Sequence, residues 1–207
     1  MVSAIDELIN DVDSSICAVC FDVLEEALNN ANPNSRDSLN KLISNDITCP
    51  LFVTWMTKSN DGLDEDLRGC IGTLEPVKIE HLRRYAYMSA FNDDRFAPIS
   101  SHELESLICK VSILHSYEDC NGCEDWTIGT HGIIVNFVYN KKRYSATYLP
   151  EVALEHNMSK STAINQLIRK SGYRFSITDD LLASLKVTRY QSKKIQMDYS
   201  EYKNLEN

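Results

Sequence analysis

The stretch Leu67-Arg68-Gly69-Cys70-Ile71-Gly72-Thr73 restricts the fold more than any other part of this chain. Its flanking glycines cost a strand stability and are most useful where a ligand or another backbone comes close. A strand-rich run at 50–56 (Pro-Leu-Phe-Val-Thr-Trp-Met) precedes it across an acidic loop, and a helix-like segment follows from Val77. If the stretch is extended, alternation puts Arg68, Cys70 and Gly72 on one face and Leu67, Gly69 and Ile71 on the other. Arg68 and Cys70 then lie about 6–7 Å apart. A cation near a thiol favours the thiolate, the form that attacks electrophiles and binds metals.

Around this stretch the hydrophobic periodicity alternates irregularly between helix and strand. Asp13 or Ser14 can cap a helix running to about Asn30, where Ile16, Val19, Cys20, Val23, Leu24 and Ala27 make an apolar face. The Pro33 region ends it, and a short amphipathic segment is expected at 37–44. Val77 to Phe91 reads as helix. Ser100 with Glu103 is a capping-box match. Ile108 to His115 alternates as a strand, and 133–139 with 142–148 predict a hairpin around Asn140-Lys141. Pro150, Ser159 or Ser161, and Thr178 open three further helices, the second ending at Gly172. Leu185 to Tyr190 and Lys194 to Tyr199 read as two final strands. No glycine-rich phosphate loop appears, so the expected class is α+β, an antiparallel sheet flanked by helices, rather than a doubly wound sheet.

With 207 residues, one domain or a two-lobed one can bury a sizeable core. The expected organisation is an acidic N-terminal tail over 1–13, a single domain over 14–202 and a C-terminal tail over 203–207. The N-terminus lacks the basic and apolar regions of a targeting peptide, and no apolar run approaches membrane-spanning length. Seven cysteines in that context predict free thiols in a reducing compartment, cytoplasm or nucleus. The net charge of −9 argues against binding a phosphate backbone, so a nucleic-acid partner is not expected. Lys141-Lys142-Arg143 and Lys193-Lys194 read as turn or strand-edge charges.

Two Cys-x-x-Cys pairs, Cys17/Cys20 and Cys120/Cys123, raise the question of zinc. They stand too far apart for the usual knuckle spacing, and Cys20 belongs to an apolar helix face, so no metal site is assigned. Cys70 has two readings: a small buried residue, or a nucleophile with His131 as its base. Asp94 and Arg95, in Asp93-Asp94-Arg95-Phe96, form a second constellation. Arg95 with Arg68 could clamp a carboxylate or phosphate, or Arg95 could pair internally and fix a helix end. Gly69 and Gly72 would let a ligand approach the strand.

The 67–73 stretch resembles the signature of the AMMECR family. The segments 17–24, 50–55, 94–96, 131–133, 146–153 and 188–190 are similar to further family blocks in the same order, closest to the eukaryotic branch. Cys120-Asn121-Gly122-Cys123 departs from that pattern. The resemblance implies a two-lobed fold with both chain ends in the larger lobe and the signature at a cleft between lobes. It implies no established reaction and leaves the cofactor unknown. Prokaryotic domains of this family occur beside a dioxygenase-like protein and a radical-SAM protein, which implies an enzymatic or enzyme-assisting role in a redox context. Two functions remain open: a cleft around Cys70 that binds or acts on a small anionic molecule, or a non-catalytic module that binds a protein partner through the signature groove.

Overall fold

The computed structural model describes residues 4–29, 47–59 and 64–205. Its helices are α1 (Ala4–Asp11), α2 (Ser15–Asn29), α3 (Leu82–Phe91), α4 (Pro150–Glu155), α5 (Lys160–Lys170), α6 (Asp179–Ser184) and α7 (Tyr199–Asn204). The strands are β1 (Thr48–Lys58), β2 (Glu65–Lys78), β3 (Leu107–Asp119), β4 (Gly132–Tyr139), β5 (Lys142–Tyr148) and β6 (Lys186–Asp198). Single 3-10 turns at Ile79–His81 and Ser101–Ser106 complete the elements. The strand order is β2-β1-β3-β6-β4-β5. The chain forms two compact units, one of residues 1–114 and 193–207 and one of residues 115–192.

In the first unit α2 supplies the core: every residue from Ile16 to Glu25 is buried, and all but Asp22 and Glu25 are apolar. It packs on Leu51, Val53 and Trp55 of β1 and Cys109, Val111 and Ile113 of β3, which alternate onto one sheet face. Phe21 sits at the centre, 5.2 Å from Trp55 and 5.1 Å from Tyr202 between ring centroids. The two buried carboxylates are satisfied by phenols of α7. Tyr202 donates to Asp22 at 2.9 Å, and Tyr199 donates to Glu25. An unpaired carboxylate there would be costly, so these bonds tie the C-terminal helix to α2.

In the second unit, α5 buries Ala163, Ile164, Leu167 and Ile168 against Ile133, Val135 and Phe137 of β4 and Tyr144 of β5. The β4–β5 hairpin turns at Asn140 and Lys141, whose φ of 47° and 63° suit a right-twisted two-residue turn.

Local signals place most boundaries. Asp13 accepts from the Ser15 amide, Ser159 from Thr162, and Thr178 from Leu181. The Ser100–Glu103 capping box forms in full, and Pro150 occupies the first turn of α4. Three expectations differ. The acidic stretch read as a tail contains α1, whose Leu8 is buried. β2 runs on to Lys78, so the helix expected from Val77 begins at Leu82. The two final strands are one, β6. The segment 37–44 lies outside the described residues. Among the described residues no helix is long and apolar enough to cross a membrane.

Candidate functional site

The signature lies in β2, at one end of the strand order. Its pairing with β1 sets Gly69 opposite Trp55 and Cys70 opposite Thr54, then Leu67 opposite Met56. Arg68 is therefore an extra residue, a bulge, and strict alternation fails there. Leu67 shares the face of Met56, Thr54 and Cys70, contrary to the alternation expected from sequence. That face carries a cross-strand row of Cys70, Thr54 and Lys110. Cys70 is half-buried, and Leu67 is 40 % exposed. The Thr54 hydroxyl donates to Cys70 Sγ at 3.2 Å, and the Lys110 ammonium pairs with Glu65.

The edge of β2 is occupied by side chains of the segment after α3. The Cys70 amide donates to Asp93 Oδ2 at 2.8 Å, and Arg95 Nη2 donates to the Cys70 carbonyl at 3.1 Å. One carboxylate and one guanidinium thus give Cys70 the acceptor and donor that a neighbouring strand would give. They also bind each other in a fork, Nε to Oδ1 at 2.9 Å and Nη2 to Oδ2 at 2.6 Å. The Arg95 bonds hold the Asp93 carboxyl far below the ordinary carboxylate range, with the Cys70 amide adding to the effect against the opposing cost of burial. Arg68 completes the brace. It grips Glu103 at 2.6 and 3.2 Å and donates to the carbonyls of Ala97 and Pro98 at 2.8 and 3.3 Å. Burial pushes the Glu103 carboxyl up, but its bonds from Arg68 and Ser100 bring it below the usual value.

The glycines have the same explanation. A Cβ on Gly69 would overlap the backbone carbonyl of Ser89 in α3, and one on Gly72 would overlap the Phe52 ring and the Leu51 carbonyl. Helix backbone and aromatic ring take the space in which the sequence suggested a ligand.

Of the residues expected at the site, Arg68, Gly69, Cys70, Gly72 and Arg95 meet within the first unit. Asp94 is exposed next to Arg95, and the carboxylate that matters there is Asp93. The sequence offers an internal Arg–Asp pair at this helix end without choosing between Asp93 and Asp94, and the Asp-x-Arg spacing of Asp93 makes the fork. Sequence reasoning passed over Thr54, whose role depends on register. His131 belongs to the second unit. Its Nδ1 accepts from the Thr127 amide at 3.0 Å, which leaves the ring hydrogen on Nε2. Next to it, a Cβ on Gly132 would overlap the Tyr190 ring.

Four of the other thiols are poor nucleophiles. Burial raises Cys20, Cys49 and Cys109, Cys49 to about 11. Cys120 is raised by burial and then by Asp125. Among the described residues no group of three or more His, Cys, Asp or Glu could hold a metal ion.

The model of the AMMECR1 family matches residues 17–195. An uncharacterized protein of Arabidopsis thaliana is 45 % identical over 189 residues, covering 88 % of this chain and 84 % of its own. One from Schizosaccharomyces pombe is 38 % identical over 188 residues, covering 90 % and 93 %. The crystal structure of an uncharacterized protein from Pyrococcus horikoshii superposes with a TM-score of 0.72 at 23 % identity, covering 90 % of this chain and 91 % of that one, which is a likeness of fold.

Proposed function

Since this chain belongs to the AMMECR1 family, we propose that it works as a non-catalytic binding module whose signature strand shows Leu67 and Cys70 to a protein partner. The observation that carries this reading is the internal commitment of the signature's charges. Arg68 spends its guanidinium on Glu103 and two carbonyls, and Arg95 on Asp93 and Cys70. An anion would have to displace a forked carboxylate from either one, and such forks are strong charge-assisted bonds. The arginines act as fasteners for the segment after α3, and the surface left for recognition is the Leu67–Met56–Cys70 face.

The test is iodoacetamide labelling of Cys70 against pH. A binding module predicts that Cys70 labels with the same pH profile as a free cysteine control, and that His131→Ala leaves that profile unchanged. A strongly depressed midpoint that is lost in His131→Ala would refute it.

A second reading, thiol chemistry at Cys70, has one observation in its favour. The Arg95 side chain is 54 % exposed while bonded to the Cys70 carbonyl, so a cation reachable by solvent stands beside the thiol. It predicts that Arg95→Ala slows alkylation of Cys70 at neutral pH. An unchanged rate leaves the binding reading alone.

A further inference from the structure

The net charge of −9 is unevenly distributed. The second unit, residues 115–192, carries nine Lys and Arg against eight Asp and Glu, while the remainder of the chain carries twelve against twenty-two. Within the second unit the carboxylates of Glu118 and Asp125 are taken by Arg189, and Asp119 pairs with Lys186.

The cations of the β4–β5 turn and of the α5 C-terminus behave differently. Among the described residues, Lys141, Lys142, Arg143, Arg169 and Arg174 form no ion pair with a carboxylate, unlike Lys186 and Arg189 of the same unit. Aromatic faces and carbonyl oxygens hold three of them instead. Lys142 Nζ lies 5.0 Å from the Tyr144 ring centroid, and the Arg169 guanidinium 6.0 Å from that of Tyr173. Arg169 also donates to the carbonyls of Tyr173 and Phe175 at 3.3 and 2.6 Å, and Arg174 donates to the Arg169 carbonyl at 3.0 Å. None of these contacts neutralises charge.

Aromatic surface is interleaved with those cations. Phe175 is 54 % exposed and its ring stands 5.2 Å from Tyr139, which faces Lys142 across the hairpin. A cavity of about 680 Å³ opens here, lined by Val138, Tyr139, Tyr173, Arg174 and Phe175, with Asp180 as its carboxylate. A strip of cations beside an exposed ring is what a single strand needs, since its phosphates take the charge and an unpaired base offers a π face. A duplex hides those faces, and an acidic peptide uses the cations without needing the ring.

We propose that this face of the second unit binds single-stranded nucleic acid. Lys141, Lys142 and Arg174 meet the phosphates, and a base stacks on Phe175. The overall charge, which argued against such a partner, averages this patch with the acidic remainder of the chain.

The test uses fluorescence anisotropy of the full chain at low salt. Probes are labelled oligothymidylate and oligouridylate of about ten nucleotides, a duplex of similar length, and an oligoglutamate peptide. The single strands are expected to bind more tightly than the duplex or the peptide, with log Kd rising with log salt at a slope of about 2, near 0.7 for each of three phosphates. Lys142→Glu with Arg174→Glu should abolish binding. Phe175→Ala, which leaves the charge unchanged, should weaken the single strands about fivefold or more and leave the peptide unaffected. Lys142, Arg174 and Phe175 are all exposed, so melting curves serve to verify that the variants remain folded. No single-strand binding at low salt, or binding that Phe175→Ala does not alter, would overturn the proposal. Oligoglutamate binding as tightly as the single strands would overturn it in favour of an acidic polypeptide.

Discussion

Replacing Gly69 by alanine separates a structural glycine from a ligand-binding one. The added Cβ would overlap the Ser89 carbonyl oxygen and lie 3.2 Å from its carbon, with Trp55 Cδ1 at 3.9 Å. Ser89 is fully buried, and its carbonyl belongs to the backbone of α3, so no side chain can rotate out of the way. Relief requires α3 to move from β2 by about 1 Å, against close packing that deforms reluctantly. That motion would pull on the Trp55 indole, which donates to the Ala86 carbonyl at 3.3 Å, and on the Asp93–Arg95 fork at the end of the same helix. Overpacking of this kind costs about 1–3 kcal/mol, and the coupled strain puts Gly69→Ala at the upper end. In a chain of this length the melting temperature should fall by roughly 4–10 °C. Urea unfolding followed by fluorescence of the two tryptophans, Trp55 and Trp126, reads the loss as a lower midpoint at unchanged slope. A variant within about 0.5 kcal/mol of the parent would refute the packing argument and return Gly69 to the role of ligand contact.

Asp93→Asn should cost about 2–3 kcal/mol, because the Cys70 amide and Arg95 lose their charged acceptor while the half-exposed guanidinium regains water. The folded-state carboxyl is depressed, so its contribution is complete above the unfolded-state value near about 4 and shrinks only as pH falls below that. Denaturation of parent and variant should therefore differ by a constant amount from pH 7 down to about 5 and converge in stronger acid; a gap that closes near neutrality contradicts the assignment. Arg68→Ala leaves Glu103 with only its Ser100 donors and strips the Ala97 and Pro98 carbonyls of theirs, and limited proteolysis should then cut within 93–106 faster than in the parent. Tyr202→Phe removes a donor to buried Asp22 and should cost about 1–3 kcal/mol by urea unfolding, whereas a loss under about 0.5 kcal/mol would contradict the assignment of that bond.

Much of the fold could be read locally. The asparagine–lysine turn, the capping box at Ser100, the caps at Ser159 and Thr178, the proline opening α4 and the apolar stripe of α2 each depend on residues a few positions apart. Helix and turn formation respond to just such short-range patterns. The internal Arg–Asp pair at the end of α3 was also foreseeable as one of two readings, because both partners lie within three residues.

Tertiary structure alone decided the rest. Whether Arg68 sits in regular alternation or in a bulge depends on how β2 registers against β1, and no feature of 67–73 encodes that. The reason for Gly69 is a carbonyl twenty residues later, and the reason for Gly72 is a ring twenty residues earlier. The continuity of β6, with its two halves assigned to different units, likewise follows from pairing. Sequence by itself determined the family, the kinds of element and the residues worth watching. It could not say whether a conspicuous arginine or glycine faces solvent or its own chain, because that is set by which distant backbone comes to lie against it.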